Sequence, residues 1–167
     1  MTRLVLRPQP LTAAAFAPFG QVIEARAEGT HRAINDGDAA RYHDLAQVDT
    51  TAHGGRTLVN IFRARPHAMP LKLKLVERHQ LGSQLFMPLS SQRFLVVVAA
   101  AGPIPRADVL RCFVASAGQG VNLARGTWHH PLLALDGGGD FLVIDRGSDV
   151  DDCEVLVFDQ EEVWVEA

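Results

Sequence analysis

Seven short apolar runs, each closed off by Gly, Pro, Asp or Ser, constrain this chain more than any other feature. They are Thr57 to Ala64, Pro70 to His79, Gln84 to Met87, Arg93 to Ala101, Asp108 to Ala115, Asp140 to Asp145 and Glu154 to Phe158. All are rich in Val, Leu, Ile and Phe, and their spacing is that of an all-β sandwich or barrel, without the helical periods a parallel α/β sheet needs. Arg3 to Arg7 and Gly20 to Glu24 read as further strands. Thr12, followed by Ala13, Ala14, Ala15 and Phe16, predicts a capped helical turn or two that stops near Pro18. From Ala27 to Gly55 there is no clear periodicity, which predicts a long irregular segment with a turn over Ala33 to Asp38. The glycines between Asp136 and Asp140 predict a loose hairpin-type loop at a rim.

A length of 167 residues with 47% hydrophobic content fits one domain, 1–167, able to bury a substantial core. The 16 Lys and Arg against 19 Asp and Glu leave a net charge of -3, and no basic run appears. That argues against a nucleic-acid partner and for a small molecule. Cys112 and Cys153 are far apart and form no CxxC, so neither a disulfide framework nor a thiolate zinc site is expected, and a reducing cytoplasm suits the chain. Met1 to Pro8 lacks a long apolar core, and the longest apolar run, Phe94 to Ala101, is too short to span a bilayer, so no membrane association is expected.

The clearest alternation is Leu71-Lys72-Leu73-Lys74-Leu75-Val76-Glu77-Arg78-His79. A period of two places Glu77 and His79 on the face of Leu71, Leu73 and Leu75, which should point inward. Two ionisable groups inside a core are costly unless they pair, bind a metal or line a solvated pocket. The competing reading ends or bulges the strand near Val76 and leaves both on a rim. A second concentration of chemistry is Gly118 to Pro131, where glycine turns, Arg125, Trp128, His129 and His130 crowd together. His129 and His130 are adjacent and should point opposite ways in a strand, so one of them serves a site, with Trp128 as a packed wall. Cys112, in step with Leu110 and Val114, reads as a buried small hydrophobe.

Glu77-x-His79-x4-Gln84 and Gly120-x5-Gly126-x2-His129 resemble the two cupin motifs. Glu77 stands where a cupin has a histidine, Gln84 where it has a glutamate and Ala124 where it has a proline. The first two replacements weaken a metal site, because an amide is a poor ligand beside a carboxylate or imidazole. More closely, the chain resembles the ureidoglycolate lyases. The matching stretches, in order, are Phe16 to Gly20, Ile34 to Gly37, Val59 to Arg63, Glu77 to Leu89, Gly118 to Asn122, Gly126 to Leu132 and Phe141 to Arg146. Any one stretch is short, but the ordered set covers nearly the whole chain.

The resemblance implies a single cupin-type, jelly-roll antiparallel β-barrel with little helix, a homodimer, and cleavage of ureidoglycolate to glyoxylate and urea in allantoin degradation. On that footing His129 is a base or a base-assisting ligand, and Glu77 or His79 is the proton donor. The same three, His79, His129 and Glu77, form the candidate metal set for a divalent ion such as nickel or zinc; no organic cofactor is implied. Gln84, sharing a strand face with Phe86, is a candidate to hydrogen-bond a urea carbonyl or amide. Arg63, Arg125 and Arg146 are candidates for a bidentate carboxylate clamp, and Asn35, with Arg41 and His43, for a loop that closes over the ligand. The alternative from a different class is a non-catalytic cupin module that binds a small carboxylic acid, since fold does not fix function.

Overall fold

The computed structural model describes residues 3–26 and 31–166; residues 27–30, part of the expected irregular segment, lie outside them. The chain is all-β. Its one α-helix among the described residues, Ala13–Phe16, is capped as expected, Thr12 Oγ1 accepting from Ala15 N–H at 3.2 Å. No described helix is long and apolar enough to cross a membrane.

The strands divide among four sheets, so the expected barrel is not closed by hydrogen bonds among the described residues. A five-stranded sheet runs Gly20–Ile23, Gly120–Leu123, Gln84–Pro88, Gly139–Gly147, Arg56–Ala64. Facing it, a second sheet runs Cys153–Val157, Leu75–His79, Trp128–His129, Phe94–Ala99, Arg111–Ala115, Gln9–Pro10, with Leu133–Ala134 also paired to Phe94–Ala99. Among the described residues, Arg56–Ala64 and Cys153–Val157 each pair only within their own sheet, which leaves one side of the sandwich open between them. The antiparallel expectation has two exceptions: Arg3–Leu6 lies parallel to Glu162–Val165, and Gln9–Pro10 parallel to the 111–115 strand.

Two cores explain why the sequence patterns as it does. Phe86, Phe94, Val96, Val98, Phe141 and Val143 fill the space between the two large sheets. Leu95, Val97, Ala99, Trp128 and Leu133 point the other way, into a second core roofed by the small sheet Arg3–Leu6, Glu162–Val165, Leu71–Leu73. The 94–99 strand is therefore buried on both faces and reads as a continuous apolar run instead of alternating. Each large aliphatic or aromatic side chain enclosed in this way contributes roughly 1.5–3 kcal/mol.

The alternation from Leu71 to His79 is not one strand. Leu71–Leu73 pairs with 163–165 and Leu75–His79 with 153–157, and between them the Lys74 carbonyl accepts from Phe158 N–H at 2.8 Å. Leu73 and Val76, three residues apart, enter the same outer core, so the register shifts by one at Lys74. The premise that Glu77 and His79 share the face of Leu71 and Leu73 is thereby corrected. They share the face of Leu75 alone, and that is the face turned to the space between the large sheets.

From residue 31 to 55 the chain is also more regular than its composition indicates. His31–Ile34 and Ala39–Tyr42 form a small hairpin around the turn Asn35–Gly37, with His31 stacked on Tyr42 at 5.3 Å. Asn35 and Asp36 both take φ of 54°, a left-handed conformation that Asn and Asp tolerate better than most residues. The chain then crosses the end of the five-stranded sheet: the Gln47 carbonyl accepts from Asn122, and Thr50 meets Thr57.

Candidate active site

His129 reaches the interior because the chain ahead of it is pinned. Gly126, at φ 77°, makes a turn that a side chain would strain, and its N–H donates to the His79 carbonyl at 2.8 Å. Thr127 Oγ1 donates to Phe19 O at 3.0 Å, and Trp128 packs into the outer core under the Arg78 guanidinium, 4.3 Å from the ring centroid. His129 then faces the opposite way, 2% exposed. Its Nδ1 lies 3.0 Å from the Thr127 carbonyl, an acceptor only, so Nδ1 carries a proton and, in the neutral ring, Nε2 is the nitrogen with the lone pair.

His79 is set up in the same sense from another element. Its Nδ1 is 3.5 Å from Asp152 Oδ1, while Asp152 Oδ2 accepts from Leu81 N–H at 3.0 Å. Both histidine Nε2 atoms are buried without a hydrogen-bond partner among the described residues. The two rings lie 5.5 Å apart, and Glu77 Oε1 is 3.6 Å from His129 Nε2, an ion-pair distance beyond hydrogen-bond range. Ligand atoms of Glu77, His79 and His129 all fall within 4.8 Å of one another.

His129 beside it holds the Glu77 carboxyl below the ordinary carboxylate range, against the opposing effect of burial. Glu77 is thus ionised at neutral pH. Cys153 Sγ contacts Glu77 Oε2 at 3.8 Å, and burial together with the Glu77 charge pushes this thiol up to about 11, so it stays protonated and donates. Burial lowers the pKa of the neighbouring His130, which is turned away, with its Nδ1 on the Pro131 carbonyl. Cys112 sits in the outer core, pushed up to about 12 by burial, and is inert.

A cavity of about 440 Å³ adjoins this cluster through His79 and is lined also by Asp145, Arg146, Asp152 and Cys153 among others. A larger hollow of about 660 Å³ near Ile104 and Phe113 has no histidine or carboxylate in its wall. Of the three arginines, the structure brings only Arg146 to the cavity. Its Nε and Nη2 donate to the carbonyls of Ala52 and His53 at 3.0 and 3.2 Å, which fixes its position. Arg125 is exposed and paired with Asp49 at 2.6 Å. Arg63 pairs with Asp140 at the far end of the same two strands, six residues from the Asp145–Arg146 end or about 20 Å at strand rise. Asn35 is exposed at the hairpin tip, outside the cavity.

Gln84 points inward, 7% exposed, but its Nε2 is directed at Asp145 Oδ2, 3.4 Å away, and its Oε1 has no partner. Its Oε1 can accept from a ligand N–H, and the second N–H of its Nε2 remains for a ligand carbonyl. Sequence reasoning passed over Asn60, Asp145, Asp152 and Cys153. A signal existed for Asp145, which keeps the period of two set by Phe141 and Val143. Asp152 had none, since it is one of several acids in an irregular stretch.

Residues 3–166 fit the family model described as ureidoglycolate lyase. The chain belongs to the ureidoglycolate lyase family. A protein of Burkholderia cepacia bearing that name is 51% identical over 153 residues, 91% of this chain and 85% of its own. One of Azotobacter vinelandii is 48% identical over 159 residues, 95% of each chain. One of Pseudomonas aeruginosa is 45% identical over 157 residues, 94% of this chain and 92% of its own.

Proposed function

We propose that this member of the ureidoglycolate lyase family cleaves ureidoglycolate to glyoxylate and urea in allantoin degradation. The observation that carries the reading is the convergence of Glu77, His79 and His129, with two Nε2 atoms unpartnered among the described residues, beside a cavity that His79 lines. The substrate carbon bears a hydroxyl, a carboxylate and a ureido nitrogen. His129 Nε2 takes the hydroxyl proton, and the ionised Glu77 stabilises the imidazolium that results. As the carbonyl forms, the C–N bond breaks and its electron pair stays on nitrogen. His79, with Asp152 beside its Nδ1, is the group that delivers a proton there, because the ionised Glu77 carries none to give. No water is consumed. Arg146, fixed at the cavity wall, supplies the charge that faces the substrate carboxylate.

Buried imidazole lone pairs beside a carboxylate also fit a divalent ion such as nickel or zinc, held by His79, His129 and Glu77. Bound there, it would polarise the substrate's oxygens. Incubation with ureidoglycolate should release glyoxylate and urea in equal amounts above the uncatalysed rate. No excess release would remove the enzyme reading and leave a module that binds a small acid.

The protein acts in the cytoplasm as a homodimer. The edge strand Arg56–Ala64 leaves Val59 and Ile61 69% and 56% exposed on its outer face, and a long apolar edge of this kind calls for a partner. Sedimentation should give twice 18.2 kDa for the wild type and the monomer mass for Val59→Lys/Ile61→Lys. A wild-type monomer at all micromolar concentrations would remove the dimer.

A further inference from the structure

Opposite the histidines, the inner face of the five-stranded sheet carries a second polar group that the proton transfers do not use. Asn60 Nδ2 donates to Asp145 Oδ1 at 3.0 Å, and Gln84 Nε2 approaches Asp145 Oδ2 at 3.4 Å. Each carboxylate oxygen therefore has one amide donor and retains further acceptor capacity. Arg146, the next residue, turns its Nε and Nη2 to the carbonyls of Ala52 and His53, so those donors do not reach the Asp145 charge. Gln84 Oε1, on a side chain 7% exposed, is a further acceptor with nothing to accept. Asp145 lines the same cavity as His79. Asp145 brings to this cavity a carboxylate with acceptor capacity left on both oxygens, which suits a ligand that donates.

We infer that Asp145, positioned by Asn60 and Gln84 and supplemented by Gln84 Oε1, is the subsite that reads the N–H groups of a ureido function. A ureido group offers two parallel N–H bonds, one from each nitrogen, and these match the two oxygens of a carboxylate as a guanidinium fork does. The inference rests on the lyase reading for its choice of ligand and adds the residue that separates a ureido substrate from other small hydroxy acids. A site built to hydrogen-bond N–H groups rejects analogues that lack them, because its buried acceptors are then left unpaired.

The test compares N-carbamoylglycine, which has the ureido and carboxylate groups but no hydroxyl to initiate cleavage, with glycolate, which has the hydroxyl and carboxylate but no N–H. Calorimetric titration of wild type, Asp145→Asn and Gln84→Met, each checked for an unchanged melting temperature, reads the affinities. Asp145→Asn should weaken N-carbamoylglycine about tenfold or more and glycolate less than twofold, with Gln84→Met intermediate. Equal loss of both ligands, retained affinity for N-carbamoylglycine, or no binding of it by the wild type would each overturn the subsite. Selective weakening of N-carbamoylglycine in Asp145→Asn, alongside a wild type that releases no glyoxylate from ureidoglycolate, would keep the subsite and overturn the lyase. Release of glyoxylate by the wild type with N-carbamoylglycine affinity unchanged in Asp145→Asn would do the reverse.

Discussion

His129→Ala is expected to lower turnover of ureidoglycolate by about 10²–10⁴-fold while the protein stays folded, since the lost group is one well-placed acid-base catalyst. The side chain is 2% exposed and its Nδ1 meets the Thr127 carbonyl, but its Nε2 has no hydrogen-bond partner among the described residues, so the loss at Nε2 is one of function. The variant also separates the two uses of that lone pair. Wild-type protein stripped with a chelator, verified by elemental analysis and assayed with and without nickel, zinc or manganese, shows whether an ion is required. Activity that vanishes and returns with one ion makes His79, His129 and Glu77 its ligands, and His129→Ala then fails to retain it. Full activity in the stripped protein sinks the ion and leaves His129 as the base. Retained turnover in His129→Ala would sink both.

The second large effect is on stability. Phe141 is completely buried between the two large sheets and meets Phe94 edge-on at 5.3 Å. Phe141→Ala should cost about 3–5 kcal/mol, the lost transfer energy plus the cavity left in a core that cannot collapse. For a chain of this size that lowers the melting temperature by roughly 6–20 °C in a thermal denaturation followed by circular dichroism. Phe62, its cross-strand neighbour on the open side, is 40% exposed, and Phe62→Ala should cost less. A Phe141→Ala melting temperature indistinguishable from wild type would mean that the two sheets do not enclose a common core.

Much of the fold was legible because burial imposes a period. The apolar runs at 57–64, 84–87 and 140–145 sit in strands, and Thr12 caps the helix that begins at Ala13. Gly120–Leu123 was missed because Gly118 and Gly120 at its start resemble a turn, although Gly120 lies where a Cβ would meet Met87 Sδ at 2.6 Å. Glu162–Val165 was missed because so short a run of alternating residues has weak periodicity, and only its roofing role over Leu73 and Leu6 gives it a fixed place.

The chain's own residues, read alone, determined the all-β class, the family, and the two stretches, 77–84 and 126–129, that supply the candidate site. Those are local properties: a strand's alternation and a glycine's turn are written within a few residues. Which face Glu77 and His79 take was decided by the one-residue shift at Lys74, where the chain leaves one sheet for another, and no local pattern marks that passage. Which arginine reaches the cavity, that Asp145 and Asp152 line it with His79, and that Asn60 and Gln84 hold Asp145, depend on pairings between residues 61 to 85 positions apart and on a histidine held from a loop 73 positions away. Such contacts are made by the packing of whole sheets, so only the tertiary structure carries them.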